Sequence, residues 1–244
     1  MKTFFTELLY KPLYNALVGI MDLLPHADIA LAVIILTIIV KVLLLPLSKK
    51  AIKTQLLMKE LDVPMKELKE KYKDNPQEMA QQTFALYKEK GVNPFAGIFL
   101  ILIQLPIVIT LYFVFAQSGL PVINVDLLYS FVPTPQDIQT TLLGFIDLVA
   151  NKSAIIAGLV FLTQSIQIRL ALPAQSANTP TSDNKFAQDF MKGLHFQMKY
   201  ILPIITAVIS YTLISVVGLY WIVGNIFAIA QEIYFKKTLK KENN

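Results

Sequence analysis

The chain has 244 residues, of which 55% are apolar and 16% are charged, and its mean hydropathy of +0.54 excludes an ordinary soluble domain. The absence of cysteine excludes disulfides and thiolate metal sites, and two histidines leave little for zinc binding or histidine-based catalysis. A net charge of +5 is compatible with nucleic acid binding, but the distribution of the lysines indicates membrane topology instead.

Residues 1–27 predict a short amphipathic helix on the outer surface of a membrane. Its apolar side chains fit one helical face before Pro25: Phe4, Phe5, Leu8, Leu9 and Leu13. A signal peptide is not expected, because Glu7 interrupts the apolar stretch and no small-residue cleavage site follows it. A disordered tail is the alternative interpretation.

Five later segments are long enough to cross a bilayer, which needs about 20 helical residues. With their flanking residues, the predicted spans are 28–47, 95–116, 154–172, 199–217 and 218–235. The last two nearly touch, so we expect Gly218 to lie in a very tight hairpin.

The first span contains a charge, Lys41, within the apolar run Ile29–Leu47. An ammonium group at this depth costs on the order of 2.5–3.5 kcal/mol on insertion scales, which favours a watery cavity around it. Two alternatives remain: Lys41 reaches toward the cytoplasmic interface, or it forms an ion pair with Glu232.

Residues 48–94 predict a cytoplasmic hairpin of two helices. One apolar stripe recurs at helical spacing and comprises Leu61, Met65, Leu68 and Tyr72. Asn75, Pro76 and Glu78 predict a second helix with a capping box, and Gly91 predicts its end. We expect a docking or regulatory element, and a solvated connector without a role is the alternative.

The distribution of positive charge predicts the orientation. Ten lysines in 48–94, four positive residues in 169–199 and four in 236–244 put 18 of 22 positive residues on one side. The positive-inside rule then places the N-terminus outside and the C-terminus in the cytoplasm. Residues 117–153 become an extracytoplasmic loop, 173–198 a flexible cytoplasmic loop, and 236–244 a short basic cytoplasmic tail.

Each predicted span has a polar face, which together indicate a hydrated cavity open to the cytoplasm. The candidate binding residues are Lys41, Thr37, Gln104, Gln164, Gln167, Trp221 and Asn225. The alternatives are interhelical hydrogen bonds for the amides and hydroxyls, and an interfacial aromatic belt for Trp221.

Sequence motifs for catalysis are missing. The chain has no GxxxxGK[ST], no HExxH and no paired intramembrane aspartates. We therefore expect no enzyme, no catalytic residue, no cofactor and no metal site.

Three segments resemble the YidC/Oxa membrane protein insertases, and the similarity covers about residues 10–240. They are IIVKVLLLPLSKKAIKTQ in the first span, MKELDVPMKELKEKYKDNPQEMAQQTFALYKEKGVNPFAGIFLILIQLPIVITLYFVF (58–115) and GLYWIVGNIFAIAQEIYF (218–235). The resemblance implies an all-α polytopic membrane protein with five transmembrane helices around a cytoplasm-open hydrophilic groove, plus the cytoplasmic hairpin, called C1.

The resemblance also implies roles for individual residues. Lys41 stands where the family has a conserved arginine in the groove, so the charge is kept without the planar fork of a guanidinium. Gln104, Gln167, Trp221 and Asn225 match positions of groove or client-contact residues.

The implied function is insertion and folding of small membrane proteins without nucleotide hydrolysis, alone or with the Sec translocon. The implied setting is a monomer in a bacterial cell membrane, with nascent membrane proteins and the lipid bilayer as partners and no specific nucleic acid. The Sec translocon, the ribosome and the signal recognition particle receptor are further candidate partners. A small transporter or anion channel is the alternative from another class, and a noncatalytic assembly chaperone is a third reading.

Overall fold

The computed structural model describes residues 6–92, 96–116, 120–150, 152–172, 193 and 196–242. The architecture of this part is all-α apart from one small hairpin of strands β1 (Thr141–Leu142) and β2 (Ile146–Asp147). The helices are α1 (Lys11–Leu23), α2 (Ile29–Leu43), α3 (Leu45–Glu60), α4 (Asp62–Lys71), α5 (Pro76–Glu89), α6 (Ala96–Ala116), α7 (Ala154–Ala171), α8 (Leu202–Thr212) and α9 (Ser215–Glu242). Single turns of other helical types cover Thr6–Tyr10, Pro25–Ala27, Val125–Leu127 and Gln197–Ile201.

The long helix α9 organises the packing. It contacts α2, α3, α6, α7 and α8, while α1 packs against α2 and α6. The buried core joins the first turns of α9 to α1, α2, α6 and α7, and its fully buried members include Tyr14, Val33, Val114, Val160 and Tyr220. Because α9 touches most of the other helices, its residues decide which polar side chains meet.

The first predicted span ends earlier than expected. Helix α2 stops at Leu43 rather than Leu47, and the chain bends by 60° into α3. Pro46 lies in the first turn of α3, and proline has no backbone N–H to donate to the carbonyl of Val42, so the helix cannot continue straight. Lys41 therefore lies in the last turn of α2, beside the bend.

The tight connection between α8 and α9 exists, but Gly218 does not lie in it. The turn is made by Leu213 and Ile214, and Gly218 lies inside α9. A Cβ atom on Gly218 would lie 2.2 Å from Cγ2 of Ile156 and 2.4 Å from Oγ of Ser210. The glycine is thus required for close helix packing and not for a turn.

Backbone atoms of the loop that precedes α7 hold this connection in place. The N–H groups of Ser215 and Val216 donate to the carbonyls of Ala150 and Leu148, each at 3.0 Å, and the Ser215 hydroxyl donates to Ala150 at 2.7 Å. These bonds satisfy donors at the start of α9 that have no partner inside the helix.

The number of spans remains a prediction. In the described ranges, α7 and the Ser215–Leu239 part of α9 are long and apolar enough to cross a membrane, and the bent pair α2–α3 qualifies if counted as one span. Pro106–Phe115 of α6 forms a shorter apolar helix.

The predicted helix boundaries between α4 and α5 are confirmed. The Oδ1 atom of Asn75 accepts from the N–H of Glu78 at 3.2 Å, and Pro76 occupies the first turn. The Glu78 carboxylate returns to the side-chain amide of Asn75, at 3.1 Å, rather than to its backbone N–H. Gly91 has a φ of +62°, as a helix-ending glycine does.

Helix α1 is amphipathic, and its apolar face packs against the protein. Tyr14, Leu17, Val18 and Met21 are fully buried. Of the predicted face, Leu8 is exposed, while Phe4 and Phe5 lie outside the described residues. Contact of this segment with the membrane surface stays a prediction, as does the loop 173–198, of which only 193 and 196–198 are described.

Asn15 ties α1 to the loop between α6 and α7, and we expect Asn15→Ala to lower the free energy of unfolding by about 1–3 kcal/mol. Its amide donates to the carbonyl of Leu127 at 2.9 Å and accepts from the N–H of Tyr129 at 2.6 Å. The substitution leaves both backbone groups unpaired. Thermal unfolding in detergent and amide exchange of residues 124–132 measure the effect.

The exposed Gln136 of the same loop supplies the control, since Gln136→Ala should leave both readouts unchanged. Equal amide exchange in the Asn15→Ala and Gln136→Ala proteins would contradict the assignment.

Candidate functional site

Three helices meet at a chain of polar side chains, which we name the polar junction: Lys41, Gln104 and Tyr220. Nζ of Lys41 donates to Oε1 of Gln104 at 3.2 Å, and Nε2 of Gln104 donates to the hydroxyl of Tyr220. These residues belong to α2, α6 and α9 respectively. Lys41 and Gln104 remain partly exposed, whereas Tyr220 is 1% exposed. The junction is therefore open at its charged end and closed at its phenol end.

Gly224 makes room for the lysine. It lies four residues after Tyr220 on α9, on the same helical face. A Cβ atom at Gly224 would lie 3.2 Å from Cε and 3.6 Å from Nζ of Lys41. The lysine stem thus lies directly against the backbone of α9.

Asn225 faces a different helix. Its Nδ2 donates to Oγ1 of Thr163 on α7 at 3.2 Å, and Thr163 in turn donates to the carbonyl of Leu159 at 2.8 Å. Asn225 is 8% exposed. Its observed contact is the interhelical hydrogen bond, the alternative raised from the sequence.

The remaining candidates are divided between surface and core. Gln164 and Gln167 are partly exposed on α7 and bond to each other at 3.4 Å. Trp221 is partly exposed and packs against the core. Thr37 is fully buried, and its hydroxyl donates to the carbonyl of Val33 at 2.6 Å, so it has no exposed surface for a ligand.

Glu232 does not pair with Lys41. Its carboxylate lies 2.9 Å from Nζ of Lys236, and that ammonium also donates to the carbonyl of Leu170 at 2.6 Å. The Glu232 side chain is 10% exposed and the Lys236 side chain 30%. This second cluster links α9 to the end of α7 and leaves the Lys41 charge to the polar junction.

We expect Lys236→Met to lower the free energy of unfolding by about 1–3 kcal/mol. A fully buried broken pair costs more, but the partial exposure of Lys236 lets water screen the remaining Glu232 carboxylate. Thermal unfolding of the purified protein measures the change.

Two further variants test the cause. Lys237→Met removes an exposed charge from the neighbouring position and should have little effect. Glu232→Gln combined with Lys236→Met should recover part of the loss; a purely additive double variant would contradict the ion pair.

Sequence reasoning missed Tyr220 and Gly224. The polar face identified on the last span comprised Trp221, Asn225 and Glu232. The face that lies toward Lys41 begins one residue earlier. The available signal was a tyrosine and a glycine at i and i+4 within an apolar run, a pattern that also occurs in purely structural helices.

The polar junction is suited to binding rather than to catalysis of a chemical reaction. It offers one ammonium, an amide and a phenol for electrostatic attraction and hydrogen bonding. In the part of the chain that the structure describes, no group of three or more histidine, aspartate or glutamate side chains could hold a metal ion.

Comparison with known proteins gives consistent results. The family model described as 60Kd inner membrane protein matches residues 21–242. A protein of Oceanobacillus iheyensis, named membrane protein insertase YidC, is 31% identical over 86% of this chain and 75% of its own length. Proteins with the same name from Chlorobium limicola and Chlorobium phaeovibrioides are 28% and 30% identical over 98% and 85% of this chain. The matched regions cover 37% and 33% of those two relatives, so the chain spans about a third of their length.

Proposed function

Because the chain belongs to the 60Kd inner membrane protein family, we propose that it is an insertase and chaperone for small membrane proteins. The chain is an all-α membrane protein. The observation that carries the proposal is the polar junction, where a partly exposed ammonium on α2 lies among otherwise apolar helices and donates to Gln104 on α6, which in turn donates to Tyr220 on α9. The relatives lend no support to a transporter or an anion channel.

In the proposed mechanism, the charge of Lys41 attracts the client, and burial of the client's apolar helix in lipid releases it. A client approaches with a short polar tail, and Lys41 attracts acidic groups of that tail into the cytoplasmic half of the membrane. Gln164 and Gln167, partly exposed on α7, supply further hydrogen bonds. Burial of the client's own helix in lipid, at roughly 25 cal/mol per Å², then drives lateral release.

No nucleotide step is required in this scheme. The membrane potential contributes ~2.3 kcal/mol per charge per 100 mV and assists acidic tails, because the outside is positive. The protein is therefore proposed to act without enzymatic activity, cofactor or metal.

The polar junction also supports separate roles for the candidate residues. Lys41 and Gln104 are proposed to contact the client, since both keep exposed surface. Thr37 and Asn225 are buried and are proposed to have structural roles, Thr37 through its bond to Val33 within α2 and Asn225 through its bond to Thr163 on α7. Trp221, being partly exposed, is proposed to meet the client's apolar segment.

The orientation belongs to the same proposal. With five spans, the lysine distribution supports an outer N-terminus and a cytoplasmic C-terminus, and the α4–α5 hairpin is proposed to meet clients first. The protein acts as a monomer in a bacterial cell membrane. The Sec translocon, the ribosome and the signal recognition particle receptor are proposed as additional partners for larger clients.

Reconstitution tests the function directly. The purified protein in Sec-free liposomes should protect the translocated tail of a one-span client from added protease after the client is released from the ribosome and ATP is removed. Empty liposomes and a client with a long, folded outer domain are the controls, and neither should give protection. Equal protection in empty liposomes, or a requirement for ATP, would refute the proposal; solute flux without protection would revive the channel.

A further inference from the structure

The β1–β2 hairpin of the outer loop carries apolar side chains at its turn. Leu143 is 77% exposed and Phe145 is 68% exposed, with Gly144 between them. We name residues 143–145 the outer tip. Turns of this kind normally hold polar residues or glycine, so two large apolar side chains in this position require an apolar neighbour.

The backbone at the outer tip is held in an unfavourable conformation. Leu143 has a φ of +53°, in the left-handed region that glycine, asparagine and aspartate adopt far more readily than leucine. A leucine at this position keeps an apolar side chain outside the fold despite the backbone strain.

The base of the hairpin is fixed to helix ends. The N–H of Gln139 donates to the carbonyl of His26, and the N–H of Ile29 donates to the carbonyl of Gln139, both at 3.1 Å. On the other strand, Leu148 is fully buried and its carbonyl accepts from Val216. The outer tip is thus attached to the N-terminal ends of α2 and α9.

These attachments keep the outer tip close to the membrane surface. From Gln139 to Leu143 an extended chain reaches at most about 13 Å, at roughly 3.3 Å per residue. The polar interface on each side of the hydrocarbon layer is itself about 5–7 Å thick. A tip bound this closely to the ends of membrane helices is therefore within reach of that interface.

The apolar exposure continues along the chain into the lipid-facing surface. After the short segment 146–153, α7 begins, a helix that is long and apolar enough to cross a membrane. Its Ile155 and Leu162 side chains are 57% and 55% exposed, which suits a helix that lies against lipid. The outer tip therefore lies next in sequence to a surface that the bilayer covers.

We propose that the outer tip inserts into the lipid interface of the membrane and anchors the outer ends of α2 and α9 at a fixed depth. The contact is apolar. The loop 117–153 contains three aspartates, at 126, 137 and 147, against one lysine, Lys152, so its net charge is negative and attraction to anionic headgroups does not drive the contact. The proposal rests on the membrane fold and predicted topology, and it does not depend on insertase activity.

Single-cysteine labelling tests this in the whole protein, because the natural chain has no cysteine. Leu143→Cys and Phe145→Cys proteins carry a nitroxide spin label in phosphatidylcholine liposomes, and Gln136→Cys provides an exposed polar control in the same loop. Electron paramagnetic resonance then compares collisions with oxygen, which concentrates in lipid, and with a water-soluble nickel chelate.

We expect labels at 143 and 145 to collide preferentially with oxygen and the label at 136 to collide preferentially with the chelate. This contrast should persist when anionic phosphatidylglycerol is added. The proposal would be overturned if the chelate reached the labels at 143 and 145 as readily as the label at 136. A protein partner would then be the expected neighbour of the outer tip. Burial that occurs only with anionic lipid would overturn it too, because the contact would then depend on charge. Insertion of clients is not measured, so failure here is separable from failure of the proposed function.

Discussion

Replacing Lys41 with alanine is expected to reduce insertion of clients with acidic outer tails by roughly 10- to 100-fold, whereas Lys41→Arg should retain most of it. Hydrogen bonds to charged groups contribute about 1.5–3 kcal/mol, which corresponds to a change of that size if one such contact to the client is lost. The charge is the feature that both lysine and arginine share.

The geometry explains why neighbouring groups cannot replace this charge. Gln104 is neutral, and its amide already bridges Lys41 and Tyr220. Lys236, a cation on α9, is already engaged by the Glu232 carboxylate and the Leu170 carbonyl. Without Lys41, the polar junction keeps hydrogen-bonding groups but loses its electrostatic attraction for a carboxylate.

Complementation of an insertase-depleted strain, with pulse-labelled clients and protease protection, measures the effect. Lys41→Met matches the length of the lysine stem without its charge, and exposed Lys53→Met is the control for removing a positive charge elsewhere. If Lys41→Met proteins accumulate normally and insert every client tested as well as Lys53→Met proteins, the charge has no essential role. A requirement restricted to clients with acidic tails would be the expected specificity.

Gly218→Ala is expected to lower the free energy of unfolding more than the other substitutions do. Overpacking a tight contact usually costs about 1–3 kcal/mol, and we expect a loss at or above the top of that range. A methyl group there would lie 2.2 Å from Cγ2 of Ile156, a distance that requires α7 and α9 to separate. The other contact, Oγ of Ser210 at 2.4 Å, lies on α8, so three helices would have to adjust together.

Thermal unfolding in detergent and the yield of folded protein report this change. Gly158→Ala is a matched control within α7, because a Cβ atom at Gly158 meets nothing within 4 Å and alanine favours helix. The double variant Gly218→Ala, Ile156→Ala should be more stable than the sum of its single effects, since the clashing methyl is gone. Stability of Gly218→Ala equal to that of Gly158→Ala would show that the packing is looser than described.

Features that depend on near neighbours in sequence were predictable. Asn75, Pro76 and Gly91 were identified as helix boundaries because caps involve residues within one turn of each other. Lys41 was identified as a candidate because a charge within an apolar membrane segment costs free energy. Its hydrogen-bond partner Gln104 was also among the candidates, since an amide in such a run is itself unusual.

Misassigned features involve contacts between distant segments. Gly218 was expected in a turn, yet it allows α7 and α9 to approach closely. Glu232 was an option for Lys41, yet its carboxylate pairs with Lys236 one turn further along α9, and the Lys236 ammonium donates to the Leu170 carbonyl of α7.

Composition, local capping and motif order identify an all-α membrane protein of an insertase family, with a cation in an apolar run and a capped hairpin, because these are properties of the chain alone. That Tyr220 and Gly224, rather than Trp221 and Asn225, face Lys41 is a result of the folded arrangement. The physical reason is that periodicity defines the faces of a helix, while the rotation of that helix against its neighbours is set by packing. On α9, a shift of one residue turns the helix by about 100° and exchanges one set of partners for another.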